Sequence, residues 1–189
     1  TRLGLNQSIN LTSNVTGTLP VANGGTNLSS GFINGTTAVG KILQVTSTSV
    51  SSQVTTTSGT HADISGYTLS ITPSATSSKI LFQCYIQYYF FDTDAQNGCS
   101  TKILRNIAGG TYSNLSAQSA GVSNIASDVD GSVGGNNAGL DAPTITIIDS
   151  PNTTSVVNYK MQGAASWGGT AYYGYDSMTG YLIAQEIGA

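Results

Sequence analysis

The sequence predicts an all-β fold: a jelly-roll-like sandwich over residues 41–189, preceded by an extended, stalk-like segment over residues 1–40. Three observations predict it. Charged residues make up only 8% of the chain, about a third of the usual quarter, so polarity comes from Ser, Thr, Asn, Gln and Gly. The helix formers Glu, Lys, Arg and Met are nearly absent, whereas Thr, Val, Ile and Tyr suit a pleated surface and Gly and Asn suit turns. From Lys41 onward, short alternating runs are separated by turn signals at the spacing of a sandwich or jelly roll.

Residues 1–40 are punctuated by Gly4, Gly17, Gly24, Gly25, Gly31, Gly35 and Gly40. The stretch LTSNVTGTLPVANGGTN (11–27) has no charge and no aromatic residue. Across residues 1–40 the apolar residues Leu3, Leu5, Ile9, Leu11, Val15, Leu19, Val21, Leu28, Phe32 and Ile33 recur at irregular spacing, and neither a helical nor a strand period holds for long. One chain would leave them wet. Two or three parallel copies would bury them against each other, which is how a stalk behaves.

From Lys41 the strands follow in order. KILQVTSTSV (41–50) alternates, with Leu43 and Val45 on one side. QVTTTSGTHADI (53–64) is Thr-rich and suits an edge strand. GYTLSITP (66–73) alternates Tyr67, Leu69 and Ile71 and stops at Pro73, which cannot donate to a ladder. After a turn at 74–78, SKILFQCYIQYYFF (78–91) places Ile80, Phe82, Cys84, Ile86, Tyr88 and Phe90 on one face. GCSTKILRN (98–106) is expected to pair back on it as a hairpin through 92–97. Residues 107–141 read as long loops with short strands. PTITIIDSP (143–151), TSVVNYKMQGA (154–164), the Gly/Tyr segment 167–176 and TGYLIAQEIG (179–188) complete eight to ten strands. The last carries apolar residues on both faces, as a central or interface strand does.

The totals exclude several classes. Net charge is −3 and no basic stripe exists, so nucleic acid is not expected as a partner. No run approaches the roughly 18 apolar residues of a membrane helix, so no membrane insertion is expected. The first residue is Thr1 and no signal-peptide pattern follows, which reads as part of a longer chain. Cys84 and Cys99 are expected as free, packed thiols, in keeping with assembly in a reducing cytoplasm. The Asn-x-Ser/Thr triplets at Asn6, Asn10, Asn14, Asn27, Asn34, Asn114 and Asn152 arise by chance in so polar a chain.

NLTSNVTGTLPVANGGTN (10–27) resembles the linker motif repeated in bacteriophage tail fibres, those of marine phages especially. The pattern after it, GKILQV, SITPSATSSKIL, DSPNTTSVVNYKMQ and YLIAQEIGA, resembles the C-terminal tip domain attached to that linker. The resemblance covers most of the chain, though the loops at 107–141 and 165–178 match no named pattern. It implies a homotrimer on the virion, made in the host cytoplasm, with other tail proteins reached through sequence before Thr1. The tip would bind a host cell-surface glycan or outer-membrane protein without catalysis. Two other readings stand beside it: a structural head fibre or shaft joint, and a fibre-borne glycan hydrolase.

Chemistry-bearing constellations are sparse. His61 is the sole histidine, with no second His or Cys placed to share a metal, and reads as a polar residue at a strand end. Asp92/Asp94 and Asp128/Asp130 are spaced as turn residues rather than as carboxylates facing across a sugar. DTDAQNG (92–98) lacks the Gly and the closing Glu of a calcium loop. No catalytic residue, metal or cofactor is expected. The aromatic set carries more: Trp167, Tyr172, Tyr173 and Tyr175 fall among Gly168, Gly169 and Gly174. Their rings are candidates for stacking on a receptor's sugar faces; the alternative is fold or trimer packing. Tyr112 and Asn114 are further candidates, as are Asn136 and Asn137 in the polar loop 128–141.

Overall fold

The computed structural model describes residues 41–92, 96–115, 123–128, 137–166 and 169–188. The chain divides between Gly40 and Lys41, and all the described residues belong to the second unit. The expectations for residues 1–40 lie outside them.

Thirteen strands are present among the described residues: β1 (Ile42–Val50), β2 (Val54–Thr56), β3 (Ala62–Ile71), β4 (Lys79–Tyr85), β5 (Tyr88–Asp92), β6 (Gln96–Ile107), β7 (Ser113–Asn114), β8 (Ser123–Asp128), β9 (Asn137–Asp141), β10 (Thr144–Asp149), β11 (Val157–Ser166), β12 (Thr170–Tyr173) and β13 (Gly180–Ile187). They form three antiparallel sheets. The first runs β1-β13-β4-β10, the second β3-β11-β6-β7 with β8 also on β6, and the third β2-β12-β5-β9. Consecutive strands are shared out among the sheets, so most neighbours in a sheet are distant in sequence.

The first and second sheets face each other and make a sandwich. Phe82 of β4 stacks on Tyr159 of β11, with ring centroids 4.8 Å apart. Cys84 of β4 meets Met161 of β11 in the same layer. Tyr67, Leu69 and Ile71 point inward from β3, as their alternation predicts, and Ile80, Phe82, Cys84, Ile86, Tyr88 and Phe90 are all buried. Each such side chain contributes about 1.5–3 kcal/mol on burial, and this layer is the main source of stability. Across it, Arg105 of β6 lies 2.6 Å from Asp149 of β10, which also accepts a 2.8 Å hydrogen bond from the Tyr159 hydroxyl. The Tyr159 hydroxyl is held far above its ordinary pKa, by burial first and then by Asp149.

Two local expectations are corrected. The run 78–91 is not one strand: it ends in the first sheet at Tyr85 and resumes in the third at Tyr88. The buried parity survives the break because Ile86, Gln87 and Tyr88 are all enclosed. The hairpin through 92–97 does not form either. β6 pairs instead with β11 over ten residues, from Val157–Ile107 to Ser166–Gly98. Switching sheets after Tyr85 carries the chain away from a return partner, so β5 pairs with β12 and β9. The edge-strand reading of 53–64 divides in the same way, between β2 and the start of β3. The expected eight to ten strands become thirteen among the described residues; as expected, β13 lies centrally, between β1 and β4, and both cysteines are free and buried. Burial pushes both thiols up, that of Cys99 to about 12.

Glu186, the only glutamate in the chain, is fully buried on the inward side of β13. Its carboxylate accepts hydrogen bonds from the Ser74 backbone N–H (2.7 Å), Ser74 Oγ (2.7 Å), Ser78 Oγ (2.6 Å) and Gln44 Nε2 (2.6 Å). Burial alone would raise its pKa. The donors from Ser74, Ser78 and Gln44 outweigh burial and bring it to about 2. One carboxylate thereby ties the β3–β4 turn to the central strand.

Candidate functional site

The third sheet carries the candidate site on its outward face. Tyr88 and Phe90 of β5 and Ala171 and Tyr173 of β12 point inward and are buried. Strand alternation then sends Tyr89 and Tyr172 outward. The register sets them directly opposite each other, with Thr55 of β2 beyond Tyr172 and Leu140 of β9 beyond Tyr89. The Tyr89 and Tyr172 rings lie 5.3 Å apart.

A third ring joins from irregular backbone. After Tyr173 the chain turns through Gly174, whose φ of 68° is left-handed. A Cβ there would also stand 2.9 Å from the Ser52 carbonyl oxygen, so glycine is required twice over. The Gly174 N–H is fixed on the Gln87 carbonyl at 2.9 Å. A short 3-10 turn, Tyr175–Ser177, follows, with Asp176 and Ser177 at positive φ. Such non-glycine residues cost about 1 kcal/mol each and cluster where a surface is held for use. The turn is steadied by a 3.1 Å hydrogen bond from the Asp176 N–H to Gln53 Oε1. It lays the Tyr175 ring flat on Tyr89, centroids 4.1 Å apart and 24° between planes, and edge-on to Tyr172 at 5.8 Å.

The result is a half-buried platform of three rings, flanked by exposed Leu140 and followed in the chain by exposed Met178. The Tyr89 hydroxyl lies above its ordinary pKa, through desolvation first and then its neighbours Tyr175 and Tyr172. It therefore stays a neutral donor throughout the physiological range. A surface of this kind offers flat apolar area, oriented hydroxyls and no charge on the rings themselves.

The sequence candidates distribute unevenly. Tyr172 and Tyr175 meet on the platform. Tyr173 does not: it is fully buried, and its hydroxyl lies 2.8 Å from both the Ser100 and the Ala164 carbonyl oxygens, which share its one proton. It takes the packing alternative and locks the third sheet onto the second. Gly163 makes room for it, since a Cβ there would fall 2.4 Å from Tyr173 Cζ. Tyr112 and Asn114 sit at the edge of the second sheet, near β7, where the Lys160 ammonium lies 4.1 Å from the Tyr112 ring centroid. Lys160 is also 2.8 Å from Asp63, whose pKa is lowered by hydrogen bonds from Lys160 and then Gln162. Asn137 opens β9 opposite Asp92. Trp167 and Asn136 lie outside the described residues. Tyr89 was missed because it sits inside the longest apolar run, where composition points to core; only the alternation around it marks it as outward.

His61 Nε2 is 3.0 Å from Ser100 Oγ. Among the described residues no group of three or more His, Cys, Asp or Glu is placed to hold a metal. Asp94 and Asp130 lie outside the described residues, so the geometry of neither Asp pair is described. Among the described residues no helix is long and apolar enough to cross a membrane.

No protein-family model and no curated protein matches the chain. Among solved structures it is similar to the Eiger TNF of S. frugiperda, at TM-score 0.31 and 7% identity over 70% of this chain and 90% of that one. It is also similar to a chain of infectious bursal disease virus Gt strain, at TM-score 0.29 and 12% identity over 78% of this chain and 39% of that one. The Gx strain gives TM-score 0.27 and 12% identity, over 77% and 40%. The match thus spans about two fifths of the viral chains. At these TM-scores the likenesses assign the chain to none of them.

Proposed function

We propose that residues 41–189 are the receptor-binding tip of a bacteriophage tail fibre, working without catalysis as a homotrimer on the virion. The observation that carries this reading is the Tyr89–Tyr172–Tyr175 platform, held outward by two paired strands and a strained turn. The resemblance of the segments around it to fibre linkers and tips supports the same reading. So does the interleaved strand order, which suits a jelly-roll-like sandwich.

The receptor this platform suits best is a glycan. The apolar face of a sugar ring matches a tyrosine ring in size and flatness, and its hydroxyls exchange hydrogen bonds with phenol, amide and carboxylate groups. Exposed Asp176, on the turn beside Tyr175, supplies an acceptor within this neighbourhood. A single platform of this size binds weakly. Three copies per fibre and several fibres per virion multiply that affinity through effective concentration.

The test is binding of the labelled full chain to a panel of bacterial surface polysaccharides and to outer-membrane protein preparations. Tyr172→Ala and Tyr89→Ala are expected to weaken glycan binding by about tenfold or more, or about 1.4 kcal/mol, with circular dichroism and solution mass unchanged. Folded variants that bind as well as the parent would overturn the platform as the receptor site. Binding confined to the protein preparations would shift the receptor class to an outer-membrane protein.

A further inference from the structure

Five of the eight exposed large hydrophobic residues of the described chain belong to one sheet: Ile42, Leu43, Val45, Ile148 and Tyr181. The register of β1-β13-β4-β10 shows how they are arrayed. Val45, Gln185, Leu81 and Ile148 form one continuous row across all four strands. Two residues along, Ile183 stands at the centre of a row whose other members are Ser47, Gln83 and Thr146. Beyond that, Tyr181 lies opposite Tyr85, their rings 6.5 Å apart. Val45, Gln185, Ile183, Tyr181, Leu81 and Gln83 alternate with the inward Leu182, Ala184, Phe82 and Cys84, so these rows occupy the outer side of the sandwich, and Ile42 joins them opposite Ile187 across a β-bulge.

We infer that this outer face is where copies of this chain pack against one another. The inference rests on the homotrimer reading above and names its contact surface. Size is the first argument. Four strands about 4.8 Å apart, each about eight residues long at ~3.3 Å per residue, cover roughly 500 Å² in plan. This plan area takes in polar and apolar residues alike, and its apolar half approaches the largest patch, a few hundred Å², of a typical monomer, which is often functional. It is also a large part of the ~800 Å² that each partner contributes to a stable interface.

Charge chooses the occupant. Glu186 and Asp149 point inward and are buried, which leaves Lys79, at one end of β4, as the sole charged residue of these four strands on the outer side. A copy meeting this face brings no like-charge repulsion to its centre. The polar residues between the aliphatics are amides and hydroxyls: Gln185, Gln83, Ser47 and Thr146. Each both donates and accepts, so each can pair with its own kind. A membrane surface is the poorer fit, since a basic rim is what attracts anionic headgroups. Uncharged, self-compatible and half-aliphatic describes the core of an obligate homomeric interface.

The experiment measures the solution mass of the full 189-residue chain by light scattering. The parent is expected to run as three copies of the 19.3 kDa chain. Val45→Glu and Ile148→Glu replace side chains that are 59% and 64% exposed, so folding is expected to survive them. Both should fall to a single copy with circular dichroism unchanged. Leu140→Glu, equally exposed but on the third sheet, should keep the parent's mass. A Val45→Cys thiol gives a second readout: protected from maleimide in the assembly and reactive once diluted to a monomer, against native cysteines that are both buried. A monomeric parent would overturn the inference. So would charged variants that keep the parent's mass, or a Val45→Cys thiol that labels freely in the assembly. Failure here is separable from failure of the receptor reading, since Tyr172→Ala reads binding at fixed mass and Val45→Glu reads mass.

Discussion

Two outward faces share most of the exposed apolar residues of the sandwich, and they are built differently. The face of β1-β13-β4-β10 is aliphatic and broad, and apart from the β-bulge between Ile42 and Gln44 its outward residues follow from strand alternation and register. The face of β2-β12-β5-β9 is narrow and aromatic, and its third ring depends on a left-handed glycine and two positive-φ residues at 174–177. Aliphatic area is non-directional and suits a partner that is large and constant. Tyrosine adds a hydroxyl and few rotamers to lose, which suits a small polar ligand that must be held in one pose. The contrast teaches that regular structure alone can make an assembly face, whereas a recognition site needs a departure from it.

The largest expected effect tests whether the aromatic face depends on what lies beneath it. Tyr173 bonds the third sheet to the Ser100 and Ala164 carbonyls and packs edge-on against Tyr88 at 5.5 Å. Gly163→Ala would drive a methyl into the Tyr173 ring. Overpacking together with loss of those hydrogen bonds is expected to destabilise the fold by about 3 kcal/mol. Chemical denaturation measures it, and glycan binding should weaken in the same variant at temperatures where it is still folded. A Gly163→Ala chain as stable as the parent would show that Tyr173 does not fix the platform.

The next effect concerns the aliphatic face. Glu186 lies between outward Gln185 and Ile187 and holds β13 from the inner side. Its folded pKa of about 2 lies below the ordinary 4.5. A depressed carboxylate contributes stability that is present above the unfolded value and is lost as pH falls through the folded one. Glu186→Gln is therefore expected to cost on the order of 2 kcal/mol at neutral pH. The gap to the parent should shrink between pH 4.5 and about 2. Thermal melts across that range check it; a gap that does not change with pH would assign the loss to packing rather than to the charge.

The sandwich itself was legible where a strand has one wet side. Tyr67, Leu69 and Ile71 announce their face by simple alternation, and so do Ile145 and Ile147. The sheet switch at Ile86–Gln87 was not legible, because an unbroken apolar run carries no sign of which sheet it serves. Pairing was not legible either: the longest ladder of β6 is with β11, fifty or more residues on, and nothing local marks so distant a choice. At the site, Tyr172 and Tyr175 stand out by composition. Tyr173 separates from them only by parity, and Tyr89 enters only through the register of β5 on β12. Glu186 signals itself by rarity, but its donors come from two other places in the chain, β1 and the β3–β4 turn.

The smallest expected effect divides the platform's two chemistries. Tyr172→Phe keeps the ring and its contacts with Tyr89 and Tyr175 and removes only the hydroxyl. Stability should stay within about 0.5 kcal/mol of the parent, since the side chain is on the surface. If stacking dominates, glycan binding should fall only a few-fold, about 0.5–1 kcal/mol for one neutral hydrogen bond, and sit well above that of Tyr172→Ala. Titration of both variants with the same polysaccharide measures the difference. Equal losses would mean that the hydroxyl, and not the ring, makes the contact. The aromatic face would then owe its selectivity to hydrogen-bond geometry, with the rings serving to hold three phenols at fixed spacing.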